Sequence, residues 1–371
     1  MHCNNTLSYA LVGCGRIAKN HIEAALKQED MQIVAVCDIV PERMDDMLAL
    51  IPEAKRQDIR KYEDHHLMLS ELSPDIVAIA TESGNHAAIA LDCINNKANV
   101  IIEKPISLSI ADADSIIEAA KTQGVAVSCC HQNRYNLSVQ KLRKAIEDGR
   151  FGRIYHIAAH IRWNRGKSYY DHAKWRGTWA QDGGCLMNQC IHNLDLLRWI
   201  MGSDIEEVFA YTQNFAHPYI EAEDTGLAVV RFQNGGLGLI EGTVNVYPKN
   251  LEETLYVFGE RGTAKLGGTS VNRIDEWAFE DGLDTLESVR DEFSENPPDV
   301  YGFGHTPLYA DFIKAIKNKT EPYITLADGK KSVEMILAIY KSSATGMPVK
   351  LPLKECSTMD FVGMFGNNNE A

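Results

Sequence analysis

A lysine that directly follows a predicted buried strand is the first candidate for chemistry in this sequence. Residues 99–102 form a short apolar run of the kind that is covered on both faces in a parallel sheet. The run ends in Glu103-Lys104-Pro105, and because proline cannot donate a ladder hydrogen bond, Lys104 should leave the carboxyl end of the strand. Open α/β sheets bind ligands at that edge. The alternative is a solvated lysine that ends a strand.

A histidine in the second half of the chain is the other candidate. A predicted helix continues to about residue 199, and within it Asn188, His192 and Asp195 are four and three residues apart. That spacing places the three side chains on one helical face. Gly183 and Gly184 precede them, and we expect these glycines to free the backbone where another molecule comes close.

Together, a lysine and a histidine suit the oxidation of an alcohol. The reaction needs a base to take the hydroxyl proton as hydride leaves the carbon. Histidine, with an ordinary pKa of about 6.5, can be that base at neutral pH. A cationic Lys104 beside the same oxygen would stabilise the developing alkoxide. The alternative is that His192 is a buried histidine whose hydrogen-bonding needs are met by Asp195.

A glycine motif near the N-terminus predicts where the hydride acceptor binds. A predicted strand runs straight into Gly-Cys-Gly-Arg-Ile-Ala, the G-x-G-x-x-A variant of the dinucleotide-binding fingerprint. Gly13 makes the tight turn, Gly15 lets the backbone approach the pyrophosphate, and Ala18 allows close helix–strand packing. The following helix offers its N-terminal amides to the phosphates. The residues that we assign to the cofactor here are Gly13, Gly15, Arg16 and Ile17.

An acid at the end of the second predicted strand favours NAD over NADP. Residues 31–37 form that strand, and Asp38 follows it. A carboxylate at this place accepts hydrogen bonds from the adenosine ribose hydroxyls. It would repel a 2′-phosphate, and no arginine follows it immediately.

Strands and helices alternate up to about residue 130, which predicts a doubly wound parallel Rossmann sheet. The loop from Thr81 to His86 follows a predicted strand and should border the nicotinamide side of the cofactor, although His86 is equally a candidate capping or core histidine. Beyond the polar junction around Gln132, strands predominate and glycine turns indicate antiparallel pairing. The predicted fold class is therefore α/β, with a C-terminal α+β domain built on a large, mostly antiparallel open sheet. The predicted domains are 1–126 and 127–371, with a helix over 326–343 that packs back on the first.

A basic and aromatic segment, residues 162–179, stands out in an acidic chain. It contains five basic and five aromatic residues and one acid, Asp171, whereas the whole protein has a net charge of −14. Such a segment suits a diphosphate and a base. One alternative is an interface rich in aromatic residues and arginine. Another is that Trp175 and Arg176 bind the nicotinamide cofactor. His305, which precedes a predicted helix, is a further candidate for the sugar or its phosphates.

Composition narrows the class of protein. Hydrophobic residues make up 45% and charged residues 24% of the 371 residues, as in soluble globular proteins. No window approaches the roughly 18 apolar residues of a membrane helix, and the N-terminus lacks a signal-peptide pattern. The nine cysteines form no C-x-x-C pair, which favours reduced thiols in a cytoplasm over disulfides or a metal site. The negative charge argues against nucleic acid or an anionic membrane as partner.

These motifs resemble the glucose-fructose oxidoreductase, inositol dehydrogenase and rhizopine catabolism (Gfo/Idh/MocA) family of NAD(P)-dependent sugar oxidoreductases. The resemblance extends over nearly the whole chain. It implies that Lys104 and His192 are the catalytic pair, that Glu103 lies near the nicotinamide ribose, and that Pro105 is cis. The motifs that carry the resemblance are Gly13-x-Gly15-x-x-Ala18, Asp38, Thr81 to His86, Glu103-Lys104-Pro105, Asn133-Arg134-Tyr135, and His192 with Asp195.

Three positions depart from the commonest pattern of that family, which has Gly at 182, Asp at 188 and Gly at 190. This sequence has Asp182, Asn188 and Cys190. An Asp at 188 is usual in members that oxidise free polyols such as inositol, whereas Asn-Gln ahead of the histidine resembles members that oxidise C3 of a UDP-linked N-acetylhexosamine or its uronic acid.

The sequence therefore predicts an NAD-dependent dehydrogenase that oxidises a secondary hydroxyl of a sugar, with a UDP-sugar preferred. The alternatives are an inositol, polyol or free monosaccharide dehydrogenase and, in another class, an NAD-binding redox sensor without turnover. We expect a homo-oligomer, dimer or tetramer, joined through the C-terminal sheet. The residues that we assign to the cofactor beyond the glycine turn are Asp38, Thr81, His86, Glu103, Lys104, Gln132, Trp175 and Arg176. The residues that we assign to the substrate are Lys104, Arg165, Tyr169, Asn188, Gln189, His192 and His305.

Overall fold

The computed structural model of the protein describes residues 6–297 and 300–366, and these divide into two compact units. The first unit comprises the chain up to Ser107 together with Ala111–Cys130 and His305–Lys330. The second comprises Leu108–Ile110, His131–Gly304 and the chain from Lys331 onward. Among the helices in the last quarter of the chain, the one that begins at His305 lies wholly within the first unit. The boundary predicted after residue 126 stays a prediction.

The first unit contains a six-stranded parallel sheet with strand order β3-β2-β1-β4-β5-β6. Its strands are β1 (Leu7–Val12), β2 (Met31–Cys37), β3 (Arg60–Tyr62), β4 (Ile76–Ile79), β5 (Asn99–Ile102) and β6 (Val127–Cys129). All four residues of β4 are buried, which explains why its sequence is continuously apolar rather than alternating. The strand order reverses between β1 and β4, and ligands bind at such a switch point in doubly wound sheets. The predicted Rossmann sheet is confirmed.

The second unit contains an eight-stranded sheet with order β13-β12-β11-β7-β10-β9-β8-β14. Its strands are β7 (Ile154–Arg162), β8 (Ile205–Gln213), β9 (Thr225–Phe232), β10 (Leu237–Thr243), β11 (Glu252–Gly259), β12 (Gly262–Gly267), β13 (Arg273–Phe279) and β14 (Val349–Lys350). Every neighbouring pair is antiparallel except β7 with β10. Buried and exposed residues alternate along β9, as expected for a sheet with one covered face. The predicted open, mostly antiparallel sheet is confirmed.

Helices connect these strands and follow them. They are α1 (Ala18–Leu26), α2 (Pro41–Ala49), α3 (Glu53–Arg56), α4 (His65–Leu72), α5 (His86–Asn95), α6 (Ile110–Gln123), α7 (Leu137–Glu147), α8 (Lys167–Asp171), α9 (Ile191–Met201), α10 (Leu286–Phe293), α11 (His305–Asn318) and α12 (Leu326–Thr345). A π-helical turn, Leu186–Cys190, leads directly into α9. No helix among the described residues combines the length and the hydropathy needed to cross a membrane.

The cysteines follow the sequence-based expectation as far as the structure describes them. Eight are free thiols and all eight are buried. Cys3 and the N-terminal residues 1–5 lie outside the described part of the chain.

Candidate active site

The glycine turn after β1 has the geometry that a dinucleotide requires. Gly13 has φ +93°, and a Cβ built there would lie 2.5 Å from the backbone carbon of Ala80, so only glycine fits. A Cβ on Gly15 would meet nothing within 4 Å, which leaves open space on the side where a phosphate approaches the backbone. The residues present therefore fit the predicted cofactor.

Asp38 is fixed at the end of β2 beside this turn. Its carboxylate is buried, accepts the Cys14 amide at 2.7 Å and accepts the Val40 amide at 2.8 Å. Arg43, on α2, lies 3.9 Å from the same carboxylate. Sequence reasoning noted that no arginine follows Asp38 immediately, and it missed that one turn of helix brings Arg43 next to it.

Lys104 leaves the carboxyl end of β5, as predicted, and the Lys104–Pro105 peptide bond is cis. His86 lies under this segment with 1% of its surface exposed, and its ring approaches the Pro105 carbonyl at 2.7 Å and the Thr81 carbonyl at 3.1 Å. Burial lowers the pKa of His86, so the neutral ring carries one proton, which we place on Nδ1 because that contact is shorter. His86 thus ties the loop after β4 to the loop after β5.

Glu103, one residue earlier, is buried among histidines. One carboxylate oxygen lies 3.1 Å from Nε2 of His21 and 3.3 Å from Nε2 of His305. His305 therefore directs its ring to Glu103 within the first unit, and its predicted contact with a sugar or phosphate stays a prediction. His21 was not anticipated from the sequence, although it lies on the buried face of α1, five residues after Arg16 of the glycine turn, and periodicity indicates that face.

In the second unit, His192 is the neighbour of Gln132 and not of Asp195. The side-chain nitrogen of Gln132 lies 3.4 Å from Nε2 of His192. Asp195 instead accepts two hydrogen bonds of 2.7 Å from Arg134 and one of 2.9 Å from Ser332. Although burial by itself would raise the pKa of Asp195, Arg134 holds it far below its ordinary value. The interpretation of His192 as a histidine satisfied by Asp195 is therefore wrong.

The π-helical turn before α9 changes the predicted face. Asn188 lies within that turn, so its spacing from His192 is not that of a regular helix. Its side-chain amide donates to Asp182, whose other oxygen accepts the Gly177 amide at 2.7 Å. π-Helical turns are frequent at functional sites because they redirect side chains.

Backbone conformation and packing require the two glycines at the start of this segment. Gly183 and Gly184 have φ +80° and +99°. A Cβ on Gly184 would lie 2.0 Å from the Glu223 carboxylate, and one on Gly183 would lie 2.9 Å from the Met187 side chain. The protein's own side chains therefore require glycine at both positions, and the expectation that another molecule comes close to this backbone stays a prediction.

Arg165 and Tyr169 form a polar network with Gln189. Nε of Arg165 donates to the Gln189 side-chain oxygen at 2.9 Å, and the Gln189 amide donates to the Tyr169 hydroxyl at 2.9 Å and to Asn188 at 3.0 Å. Arg176 packs on the Tyr169 ring, with its guanidinium carbon 4.0 Å from the ring centroid. The structure thus brings together four predicted substrate residues and Arg176.

Three other residues of the basic segment have different partners. Arg162 forms ion pairs with Glu241 and Glu252 on neighbouring strands. Lys167 is exposed and pairs with Asp171. Trp179 is fully buried, meets the Tyr340 ring edge-on and stacks on Phe365. The expectation that residues 162–179 form one basic and aromatic cradle is therefore too broad.

Two family models match the chain in succession. The model described as oxidoreductase family, NAD-binding Rossmann fold, matches residues 7–131, and the model described as oxidoreductase family, C-terminal alpha/beta domain, matches residues 143–351. The chain belongs to the Gfo/Idh/MocA oxidoreductase family. The resemblance that the motifs indicated is confirmed.

Two solved structures of the Gfo/Idh/MocA fold are close to this chain. The WlbA dehydrogenase from Bordetella pertussis, in complex with NADH and UDP-GlcNAcA, is 38% identical, with a TM-score of 0.87 over 94% of this chain and 99% of that one. The WlbA dehydrogenase from Chromobacterium violaceum, with the same two ligands, is 36% identical, with a TM-score of 0.85 over 94% and 97%. Among curated relatives, myo-inositol 2-dehydrogenase of Thermotoga maritima is 27% identical over 92% of this chain and 97% of its own length.

This Gfo/Idh/MocA protein is accordingly an NAD-dependent sugar or polyol dehydrogenase. The predictions of an oxidoreductase and of NAD as cofactor are confirmed. The individual roles of the predicted site residues remain proposals, which follow.

Proposed function

We propose that this protein oxidises C3 of a UDP-linked N-acetylhexosamine or its uronic acid to a ketosugar. The proposal rests on the hydrogen-bond network that joins Arg165 and Tyr169 to Gln189 and Asn188. The last two residues lie in the π-helical turn that leads into the helix of His192. Further support comes from the WlbA dehydrogenases, which are 38% and 36% identical and hold UDP-GlcNAcA.

In this proposal His192 is the base and Lys104 is the electrostatic catalyst. NAD, when bound, supplies the acceptor for the hydride. Nε2 of His192 lies 3.4 Å from the side-chain nitrogen of Gln132. If that amide donates, the lone pair of a neutral His192 is on Nε2, and the sugar hydroxyl must replace Gln132 there before His192 takes its proton. The ammonium of Lys104 stabilises the negative charge that develops on the sugar oxygen. Thr81, His86 and the Glu103 segment form the edge that positions Lys104.

The two arginines around Tyr169 would hold the diphosphate. Nε of Arg176 is buried and has no hydrogen-bond partner among the described residues, which is a costly state that an anionic ligand would relieve. Arg165 lies over both the Trp163 ring, at 4.7 Å, and the Tyr169 ring, at 5.3 Å. Guanidinium groups that pack on aromatic rings are held in place and can present their N–H groups to phosphate. Trp175 would contact either the nicotinamide cofactor or the uracil ring of the UDP-sugar.

A polyol substrate is the second candidate, because curated relatives include inositol dehydrogenases. Position 188 argues against it. Asn188 has an amide where polyol-oxidising members have an acid, and this amide is already held by Asp182.

Purified protein incubated with NAD and each of UDP-GlcNAcA, UDP-GlcNAc and myo-inositol tests the proposal. We expect NADH formation with a UDP-sugar, competitive inhibition by UDP alone, and weaker inhibition at higher salt. Turnover of myo-inositol without inhibition by millimolar UDP would establish the polyol reaction instead. Tight NAD binding without turnover of any sugar would favour the redox sensor.

We also propose that two copies associate through the exposed face of the eight-stranded sheet. Across β8, β9, β10 and β7, the paired residues Phe209, Val229, Leu239 and Ala158 form an apolar row. Val229 and Leu239 are 53% and 44% exposed, which is unusual for paired branched residues on a sheet. Light scattering should give at least a dimer, and Val229→Lys with Leu239→Lys should give a monomer; a monomeric wild type contradicts this.

A further inference from the structure

A cluster of buried polar side chains surrounds Glu103 in the first unit. Glu103, His21, His305 and Tyr309 each have 5% or less of their surface exposed. They come from the end of β5, from α1 and from α11, so three separate elements of the first unit converge on one carboxylate. Burying an ionised carboxylate is costly unless it is fully hydrogen-bonded, so the proton arrangement of this cluster needs an account.

The protons around Glu103 and His21 can be arranged without any additional ion, and Nδ1 of His305 is the atom of the cluster that has no hydrogen-bond partner among the described residues. The Tyr9 and Tyr309 hydroxyls lie 2.9 Å apart, and the Tyr309 hydroxyl lies 2.6 Å from Nδ1 of His21. If Tyr9 donates to Tyr309 and Tyr309 donates to Nδ1, His21 is neutral and its proton is on Nε2, where it is donated to Glu103. Burial lowers the pKa of His21, in agreement with a neutral ring.

The carboxylate receives further donors besides His21, among them the Cys130 thiol. Nε2 of His305 approaches the same oxygen as His21, at 3.3 Å, and the other oxygen accepts the backbone amide of Lys104 at 3.1 Å. Although burial would raise the pKa of Glu103, the hydrogen bonds from His21 and His305 hold it well below its ordinary value. The anion is therefore fixed from one side by two imidazoles, and from the other it fixes the backbone of Lys104.

We propose that His21 and His305 are positioning residues that act through Glu103 on Lys104. This Glu103 clamp, defined as Glu103 with His21, His305 and the Lys104 amide, sets the direction in which the lysine leaves β5. The inference rests on the proposed role of Lys104 at the sugar oxygen. A small displacement of a catalytic group costs far more in turnover than in ligand affinity, so the clamp should act on kcat rather than on the affinity for NAD.

The same atoms are also close enough to hold a metal ion, which is the rival interpretation. One ligand atom from each of His21, Glu103, Cys130 and His305 lies within 4.8 Å of the others. A metal there would take the lone pairs of both Nε2 atoms, and neither histidine could then donate to Glu103. The two arrangements are mutually exclusive, so the metal content of the purified protein separates them.

The test compares His305→Leu, which removes a donor, with His305→Gln, whose amide places a donor near the position of Nε2. Glu103→Gln, of equal size, removes the anion, and His66→Leu, at an exposed histidine of the same unit, is the matched control. We expect His305→Leu and Glu103→Gln to exchange the Lys104 amide hydrogen at least about tenfold faster, measured by NMR with lysine isotope labelling. We expect His305→Leu to lower kcat about tenfold, to change NAD affinity little, and to be rescued by glutamine.

Unchanged exchange of the Lys104 amide in the folded variants would overturn the clamp, whatever turnover does. Stoichiometric zinc in the wild type that is lost in His305→Leu would overturn it as well. If His305→Leu does not fold, Glu103→Gln decides, because its volume is conserved. Full turnover by Lys104→Ala would refute the catalytic assignment of the lysine and would leave the exchange result standing, so the two proposals fail separately.

Discussion

Asp38 shows how one side chain can serve both the fold and the choice of cofactor. Its carboxylate holds the Cys14 amide of the glycine turn and the Val40 amide at the start of α2. The same carboxylate faces Arg43 at 3.9 Å, and it therefore masks a guanidinium that could otherwise bind a phosphate.

Asp38→Ser should therefore narrow the preference for NAD over NADP, because it removes the repulsion of a 2′-phosphate and releases Arg43. Titration calorimetry with both cofactors measures the effect. Asp46 is exposed and lies on α2, the helix that carries Arg43, and Asp46→Ser should leave the preference for NAD unchanged. Equal affinity of the wild type for NAD and NADP would contradict the assignment of Asp38.

Lys104→Ala and His192→Ala should each lower kcat by at least about 100-fold while NAD binding changes little, because in the proposed reaction both groups act at the reacting oxygen. Steady-state kinetics on the true substrate, with NAD affinity measured separately, checks this. The exposed residues Lys121 and His172 supply control alanine variants. Near-normal turnover of His192→Ala would show that the base is another group.

Arg165→Ala should raise KM for the UDP-sugar about tenfold or more, since a charge-assisted contact to phosphate is worth about 1.5–3 kcal/mol. The exposed Lys167, which pairs with Asp171, is the control, and Lys167→Ala should not change KM. If Arg165 instead serves an interface, light scattering would show a changed mass and UDP affinity would stay constant.

Among the elements, the π-helical turn Leu186–Cys190 has the clearest influence on the site. It places the Asn188 amide on Asp182 and leaves Gln189 to bridge Arg165 and Tyr169. The commonest family pattern has glycine and aspartate at 182 and 188, so this sequence has an acid at the first position and an amide at the second. The structure gives the reason that both changes belong together: an acid at 182 needs a donor at 188.

Asn188→Asp should place two carboxylates side by side at a buried position. We expect it to lower the free energy of unfolding by about 1–3 kcal/mol at pH 8 and by less at pH 5, where one carboxyl keeps its proton. Urea unfolding at both pH values measures this. Asp182→Asn in the same chain should restore stability; a fully stable single variant at pH 8 would show that the pair is unimportant.

At the scale of the whole molecule, an acidic chain buries carboxyls that its charged surface does not stabilise. Burial raises the pKa of Glu253 to about 8, and only Arg165 acts in the opposite direction. Burial likewise raises the pKa of Glu223 to about 8. Its carboxylate accepts hydrogen bonds from the Leu186 amide and the Tyr340 hydroxyl.

A carboxyl with a raised pKa stabilises the fold fully below its unfolded value, 4.5, and that contribution is lost as pH rises toward 8. Glu253→Gln removes the dependence, so the variant should unfold at a higher temperature than the wild type at pH 8 and differ little at pH 5. The slope involved is at most about 1.4 kcal/mol per pH unit. Glu206→Gln, at an exposed position, is the control; equal pH profiles for wild type and Glu253→Gln would refute the assignment.

The sequence by itself determined the parallel sheet, the glycine turn with Asp38, and the position of Lys104 at a strand end. These features depend on neighbours within one strand–turn–helix unit, where periodicity, proline and glycine leave few alternatives. The family resemblance needed no more than the same local motifs in the correct order.

Only the tertiary structure decided which side chains meet. It pairs Asp195 with Arg134, 61 residues away, and Glu103 with His305, 202 residues away. It also divided the basic segment into Arg162, neutralised on the sheet, and Arg165, directed at Gln189. Partners of this kind are set by the order of strands and by helix packing, and a polar residue's local pattern is the same whichever distant group completes its hydrogen bonds.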